Sequence, residues 1–218
     1  MCFSAGASFT ASSVLAVIGV ASVSKAKAPS QILFTSIPFL FAFQQLVEGY
    51  LWIELTVPTH TSEVKIATNI FLTFAQVVWP IWIPLGIALV ERNKTRKKLL
   101  LIVTGIGLVV SISRGYYFLF HTAHASIAGH HVSYDIDGSA TLIGIGSTLY
   151  FIVTVFPSFI SSVKKMWVVG FLILFSFLIS KFYFDQYLIS VWCFFAALVS
   201  FLIYFITKNQ FNSTSSND

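Results

Sequence analysis

Between residues 166 and 206 the chain runs for roughly 40 residues with Lys181 and Asp185 as its only charges. As one helix that run would reach about 60 Å, twice the ~30 Å of a bilayer's hydrocarbon layer, so it must fold back on itself. The polar break is KFYFDQY, which predicts a tight reversal at Asp185 and Gln186.

Five further apolar stretches precede it, at 5–24, 31–55, 64–90, 99–120 and 139–160, each near or above the ~20 residues that a membrane-crossing helix needs. With a mean hydropathy of +0.85 and 10% charged residues, the chain lacks the polar cover that a water-soluble domain would require. The predicted fold is therefore all-α, a polytopic transmembrane bundle of seven spans whose main partner is the lipid bilayer. No nucleic-acid partner is expected.

Charge sets the orientation. Seven spans place Lys25, Lys27, the five bases of ERNKTRKK, Lys164, Lys165 and Lys208 on one side, ten of the thirteen Lys and Arg. Cytoplasmic loops carry such an excess, which puts the amino terminus outside. The first apolar stretch has no base before it and two lysines after it, the reverse of a secretory signal. The bundle is expected to occupy residues 1–207, with 208–218 a disordered cytoplasmic tail poor in aromatics. A disulfide between the two cysteines, Cys2 and Cys193, would require the amino terminus to dip into the bundle, and none is expected.

The second span carries polar groups where lipid would reject them. Phe41, Gln44 or Gln45, Glu48 and Trp52 recur at helical spacing and form one stripe. A glutamate there should face protein or water and be protonated or meet a cation. Arg114, at matching depth in span four, is the expected cation, and Arg114, Tyr117, His121 and His124 share one face of that helix. With Gln76 of span three at similar depth, these residues read either as a structural ion pair joining two helices or as the wall of a pocket for a small ligand or ion.

All five histidines fall on the outer side, with Asp135, Asp137 and Asp185. His121, His124, His130, His131 and Asp135 are ligand types suited to zinc or another borderline metal. Their spacing matches no established metal motif, so solvated loop histidines are the competing reading. Pro80 and Pro84 in VWPIWIPLG each remove a backbone donor and predict an irregular third span.

The stretches MCFSAGASF, FAFQQLVEGYLW, WPIWIPLG followed by Glu91, TVFPSFISS and SVWCFFAALVS together resemble an uncharacterised family of bacterial multi-pass membrane proteins whose chains begin with MCFSA. The resemblance covers the whole chain. It implies a seven-span protein of the bacterial cytoplasmic membrane, names no substrate, and draws attention to Cys2, Gln45, Glu48, Trp79, Pro80 and Cys193.

Three functions follow as expectations. The first is a binding bundle, sensor or transporter, with an outward-facing polar pocket formed by Gln44, Gln45, Glu48, Gln76, Arg114 and Tyr117. The second is a membrane hydrolase using a metal held by the outer histidines, and the third is a passive scaffold without a cavity.

Overall fold

The computed structural model of the protein describes residues 4–136 and 140–212. Helix α1 spans Ala5–Val23 and is capped by Ser4, whose hydroxyl accepts from the Ala7 N–H. After α2, Pro29–Thr35, the chain turns at Ser36 into α3, Ile37–Glu54, with Pro38 in its first turn, where no backbone donor is needed. Helix α4, Thr61–Thr73, passes through a π-helical segment, Phe74–Val78, into α5, Trp79–Val90. Helix α6, Lys94–Phe120, is the longest at 27 residues and is capped by Asn93.

After two strands come α7, Ala140–Val155, and the short α8, Pro157–Ile160. The remaining helices are α9, Met166–Tyr183, α10, Leu188–Ser200, and α11, Leu202–Asn212. The reversal between α9 and α10 is a single 3-10 turn at Asp185–Tyr187, at the polar break. Helix α11 runs past the expected bundle boundary at residue 207. The rest of that tail, 213–218, lies outside the described residues, as do Cys2 and Asp137.

Among the described residues, six helical segments are long and apolar enough to cross a membrane: Ala5–Val23, Pro29–Glu54, Thr61–Val90, Lys94–Phe118, Met166–Tyr183 and Asp185–Asn209. A shorter apolar one covers Gly146–Ile160. The outer surface is apolar, with Val17, Val109, Ile112, Phe175 and Phe182 all more than half exposed, a distribution that water would not tolerate.

One expectation is corrected. The fold is not purely helical: β1, Ala123–Ala128, pairs antiparallel with β2, His131–Ile136, with Ala128 opposite His131. The two-residue turn places Gly129 at φ +63 and leaves His130 at negative φ, the pattern of a II′ hairpin turn. The hairpin's alternation buries Val132 against the bundle and stacks Tyr134 on Phe71 with ring centroids 4.8 Å apart.

The hairpin therefore caps one end of the molecule. The opposite end carries the basic loops, and there Glu91 acts as a clip. Its carboxylate, 3% exposed, accepts from the backbone N–H groups of Asn93 (2.9 Å) and Ser162 (2.6 Å), from the Ser161 hydroxyl (3.0 Å) and from the Ser162 hydroxyl. Arg96 Nη1 donates to the Ile160 carbonyl beside it. The junction of α5 and α6 is thus bound to the junction of α8 and α9.

Small residues set the closest helix pairs. A Cβ on Gly19 would lie 2.6 Å from the backbone N of Phe39, which lets α1 press along α3. A Cβ on Gly107 would overlap the carbonyl oxygen of Pro80, so α6 can meet α5 there only through glycine. Hydroxyls on both exposed and buried faces are satisfied within their own helix, as in Ser13 to Phe9 O, Thr104 to Leu100 O and Ser180 to Ser176 O.

Candidate functional site

Two polar features lie inside the bundle, and the first is built on the glutamine stretch of α3. Gln44, Gln45 and Glu48 are completely buried. The Trp79 indole N–H donates to Gln44 Oε1 at 2.7 Å, while the Trp79 ring stacks on Phe41 with centroids 4.0 Å apart. Gln45 Nε2 donates to Glu48 Oε2 at 3.2 Å, and the Ser190 hydroxyl donates to Glu48 Oε1 at 2.5 Å. The Gln44 amide borders the Cys193 thiol, one turn beyond Ser190 on α10.

Helix α1 reaches the same layer. Ser12 Oγ donates to the Ala42 carbonyl at 2.7 Å, and Gly49 makes room for the ring of Phe9. These contacts place the fully buried Ser8 at about the height of Glu48. Gln44 Nε2, Gln45 Oε1 and Ser8 Oγ have no hydrogen-bond partner among the described residues. The layer thus combines a carboxylate with amide, hydroxyl and thiol groups from three helices, in surroundings that amplify every electrostatic interaction.

The second feature is a cavity of about 490 Å³ between α6, α7, α9 and α10. Its polar wall among the described residues comprises Gln76, Arg114, Ser147, Thr148, Tyr150 and Lys181, with no carboxylate. Gln76 projects from the π segment, whose disturbed backbone is secured by two hydroxyls: Tyr150 donates to the Ala75 carbonyl and Ser111 to the Val77 carbonyl, each at 2.6 Å. Pro80 has no N–H to return to the carbonyl four residues back, which is the local cause of the irregularity.

Arg114, 9% exposed, donates from Nη2 to Ser147 Oγ at 3.0 Å. Gly146 leaves space for the guanidinium, since a Cβ there would lie 3.1 Å from Nη2. Lys181 stands at the mouth, paired with Asp185 one turn on.

Not all the expected site residues come together. Glu48 accepts from Ser190 and Gln45, and Arg114 donates to Ser147; Glu54 pairs with His60 and Lys181 with Asp185. Gln76 and Arg114 share the cavity, whereas Gln44, Gln45 and Glu48 belong to the layer beside it. Tyr117 stacks on His121 with centroids 3.9 Å apart, and its buried hydroxyl has no partner among the described residues.

The histidines are dispersed. His124 sits opposite Asp135 in the hairpin register, His130 is in the turn, and His131 stacks on Tyr187 with centroids 4.6 Å apart. Desolvation lowers the His131 pKa, and neighbouring positive charge, His130 included, lowers it further. His60 and His124 line a separate cleft of about 450 Å³ with Glu54 and Lys65. Among the described residues no three His, Cys, Asp or Glu side chains stand close enough to hold a metal.

Ser147, Tyr150, Ser190 and Trp192 were not expected in the site. The first two sit in segments with no distinguishing polar pattern. Ser190 could have been found, since Ser190 and Cys193 repeat at one helical turn on the same face.

An apolar helix bundle with six membrane-length segments around a buried polar layer and a cation-lined cavity is built as helical membrane proteins are. The chain belongs to a family of unknown function, DUF6629, which it matches over residues 1–217. No curated protein and no solved structure matches it.

Proposed function

We propose that the protein is a seven-span membrane bundle, amino terminus outside, that binds a small polar ligand in the cavity walled by Gln76 and Arg114, as a sensor or transporter does. The seventh crossing is α7 with α8, which together run over 140–160 and have the hairpin at one end and the basic loops at the other. With that crossing, ten of thirteen bases share the cytoplasmic side and the cavity faces outward.

The observation that carries the reading is the cavity itself, about 490 Å³ with an arginine and a primary amide in its wall. A charged side chain is retained at that depth where it serves a pathway or a ligand. A passive scaffold would pack the same groups without a cavity.

Accessibility tests the proposal. In a background lacking Cys2 and Cys193, Ser147→Cys should react with a membrane-impermeant thiol reagent added from outside, and Ala197→Cys, fully buried, should not. If Ser147→Cys stays unmodified in folded protein, the outward-facing pocket is wrong.

A further inference from the structure

The two segments that Glu91 joins are the most basic in the chain. Residues 91–98 and 161–165 together hold seven Lys and Arg against one carboxylate, Glu91 itself. That carboxylate accepts from the hydroxyls and backbone N–H groups of Asn93, Ser161 and Ser162, and from no base. Arg92, Lys94, Arg96, Lys98 and Lys165 are exposed and Lys97 is half-buried, and none of the six pairs with a carboxylate among the described residues. Their one described side-chain bond runs from Arg96 to the Ile160 carbonyl. The clip therefore gathers positive charge without neutralising it, and a bound anion would lower the mutual repulsion.

A row of aromatic rings begins beside these bases. Trp167, two residues past Lys165, packs edge to face on Phe171 at 5.9 Å, Phe171 on Phe159 at 5.2 Å and Phe159 on Phe156 at 6.4 Å. Gly170 seats Phe159, whose ring would lie 2.9 Å from a Cβ there. Trp167, Phe171 and Phe156 are each about half exposed on the apolar outer surface, and Phe171 lies about 9 Å along the helix from Lys165. Bases, then an exposed tryptophan, then phenylalanines follow the order of head, interface and chain in a phospholipid leaflet.

From these features we infer that the clipped corner is a seat for an anionic phospholipid, its phosphodiester held by Lys94, Lys97, Lys98 and Lys165 and an acyl chain lying against the aromatic row. Charge complementarity selects the head, and rings turned to the bilayer select a lipid over a soluble phosphate. Lys25, Lys27 and Lys208 share the basic end but lie on the α1–α2 loop and on α11, outside the clip. The inference uses the membrane placement of the helices and not the cavity, so its outcome is read independently of Ser147→Cys.

The test is tryptophan quenching in the full-length protein, reconstituted in phosphatidylcholine vesicles with a minor fraction of phosphatidylglycerol. Bromine is carried on the chains of one lipid or the other at equal total content, and the Trp167 signal is the difference between wild type and Trp167→Phe. Each base at an anionic surface is worth about fivefold in lipid partition, so brominated phosphatidylglycerol should quench Trp167 roughly twofold or more better than brominated phosphatidylcholine. Replacing Lys94, Lys97, Lys98 and Lys165 together by glutamine should abolish that excess, with Arg92, Arg96 and Lys164 left to preserve orientation. Replacing Lys25, Lys27 and Lys208 together should leave it unchanged. In wild type alone, the excess should shrink as salt is raised.

Equal quenching by the two lipids in wild type overturns the inference, as does an excess that salt does not reduce. An excess that survives in the fourfold variant, or that disappears equally in the threefold one, also overturns it, because the basic end would then act without a local seat. Loss of the excess on adding inorganic phosphate at constant ionic strength would assign the bases to a soluble anion instead.

Discussion

At the residue scale, the buried carboxylates do different work, and their partners say which. Glu91 is desolvated, which alone would raise its pKa, yet the hydrogen bonds from Ser162, from the backbone of Asn93 and Ser162 and from Ser161 outweigh this and leave it lowered. Glu91→Gln should cost about 2 to 3 kcal/mol, because charge-assisted bonds to several donors are lost together. The folded pKa lies below the unfolded one. The contribution is therefore whole above the unfolded value of about 4.3 and is lost as pH falls through the lower folded value. Thermal denaturation of wild type and variant in detergent should differ at pH 7 and converge in acid. The bonds described for Glu48, from Ser190 and Gln45, and for Arg114, to Ser147, do not overlap, so the losses from Glu48→Gln and Arg114→Gln should add in the double variant to within about 0.5 kcal/mol; a double variant more stable than either single one would mean that the two charges face each other. The polarity of both positions was legible in the sequence, because helical spacing and depth can be read from a single chain. Their partners were not: Ser190 lies 142 residues from Glu48 and Ser147 lies 33 from Arg114, and a lone serine in an apolar run gives no sign of what it touches.

At the scale of elements, helix contacts depend on a few positions without side chains. Gly107 is the sharpest case, since any Cβ would collide with the Pro80 carbonyl. That carbonyl has lost its usual helical partner because Pro84 has no N–H. Gly107→Leu should force α5 and α6 apart and shift the denaturation midpoint strongly downward, whereas Gly105→Leu, with nothing within 4 Å of its Cβ, should leave it nearly unchanged; equal effects would remove the close approach. The long helices and the reversal at Asp185–Tyr187 were legible because length, hydropathy and one polar break suffice to define them. Irregularity in the third span was legible from its prolines, but its form as a π segment was not. The hairpin escaped notice for a physical reason. AHASIA has alanines where a strand usually shows β-branched or aromatic residues, and its partner's alternation, HVSYDI, is too short to stand out beside the histidines.

At the scale of the whole molecule, polarity is segregated by end. The bases gather at one end, while the histidines, the hairpin and the cavity mouth occupy the other. A cysteine introduced at His130 should be labelled from outside intact cells and one at Lys94 should not, and the reverse pattern would invert the proposed orientation. The two ends also differ mechanically. The clip at Glu91 fastens the α5–α6 junction to the α8–α9 junction, and α6, α7 and α9 reappear at the far end as walls of the cavity. A pair of arms pinned at one end and separated by a hollow at the other is a set of tweezers. Its tips are the hairpin-side ends of α6 and α9, and its pivot is a carboxylate at the end that carries the basic loops.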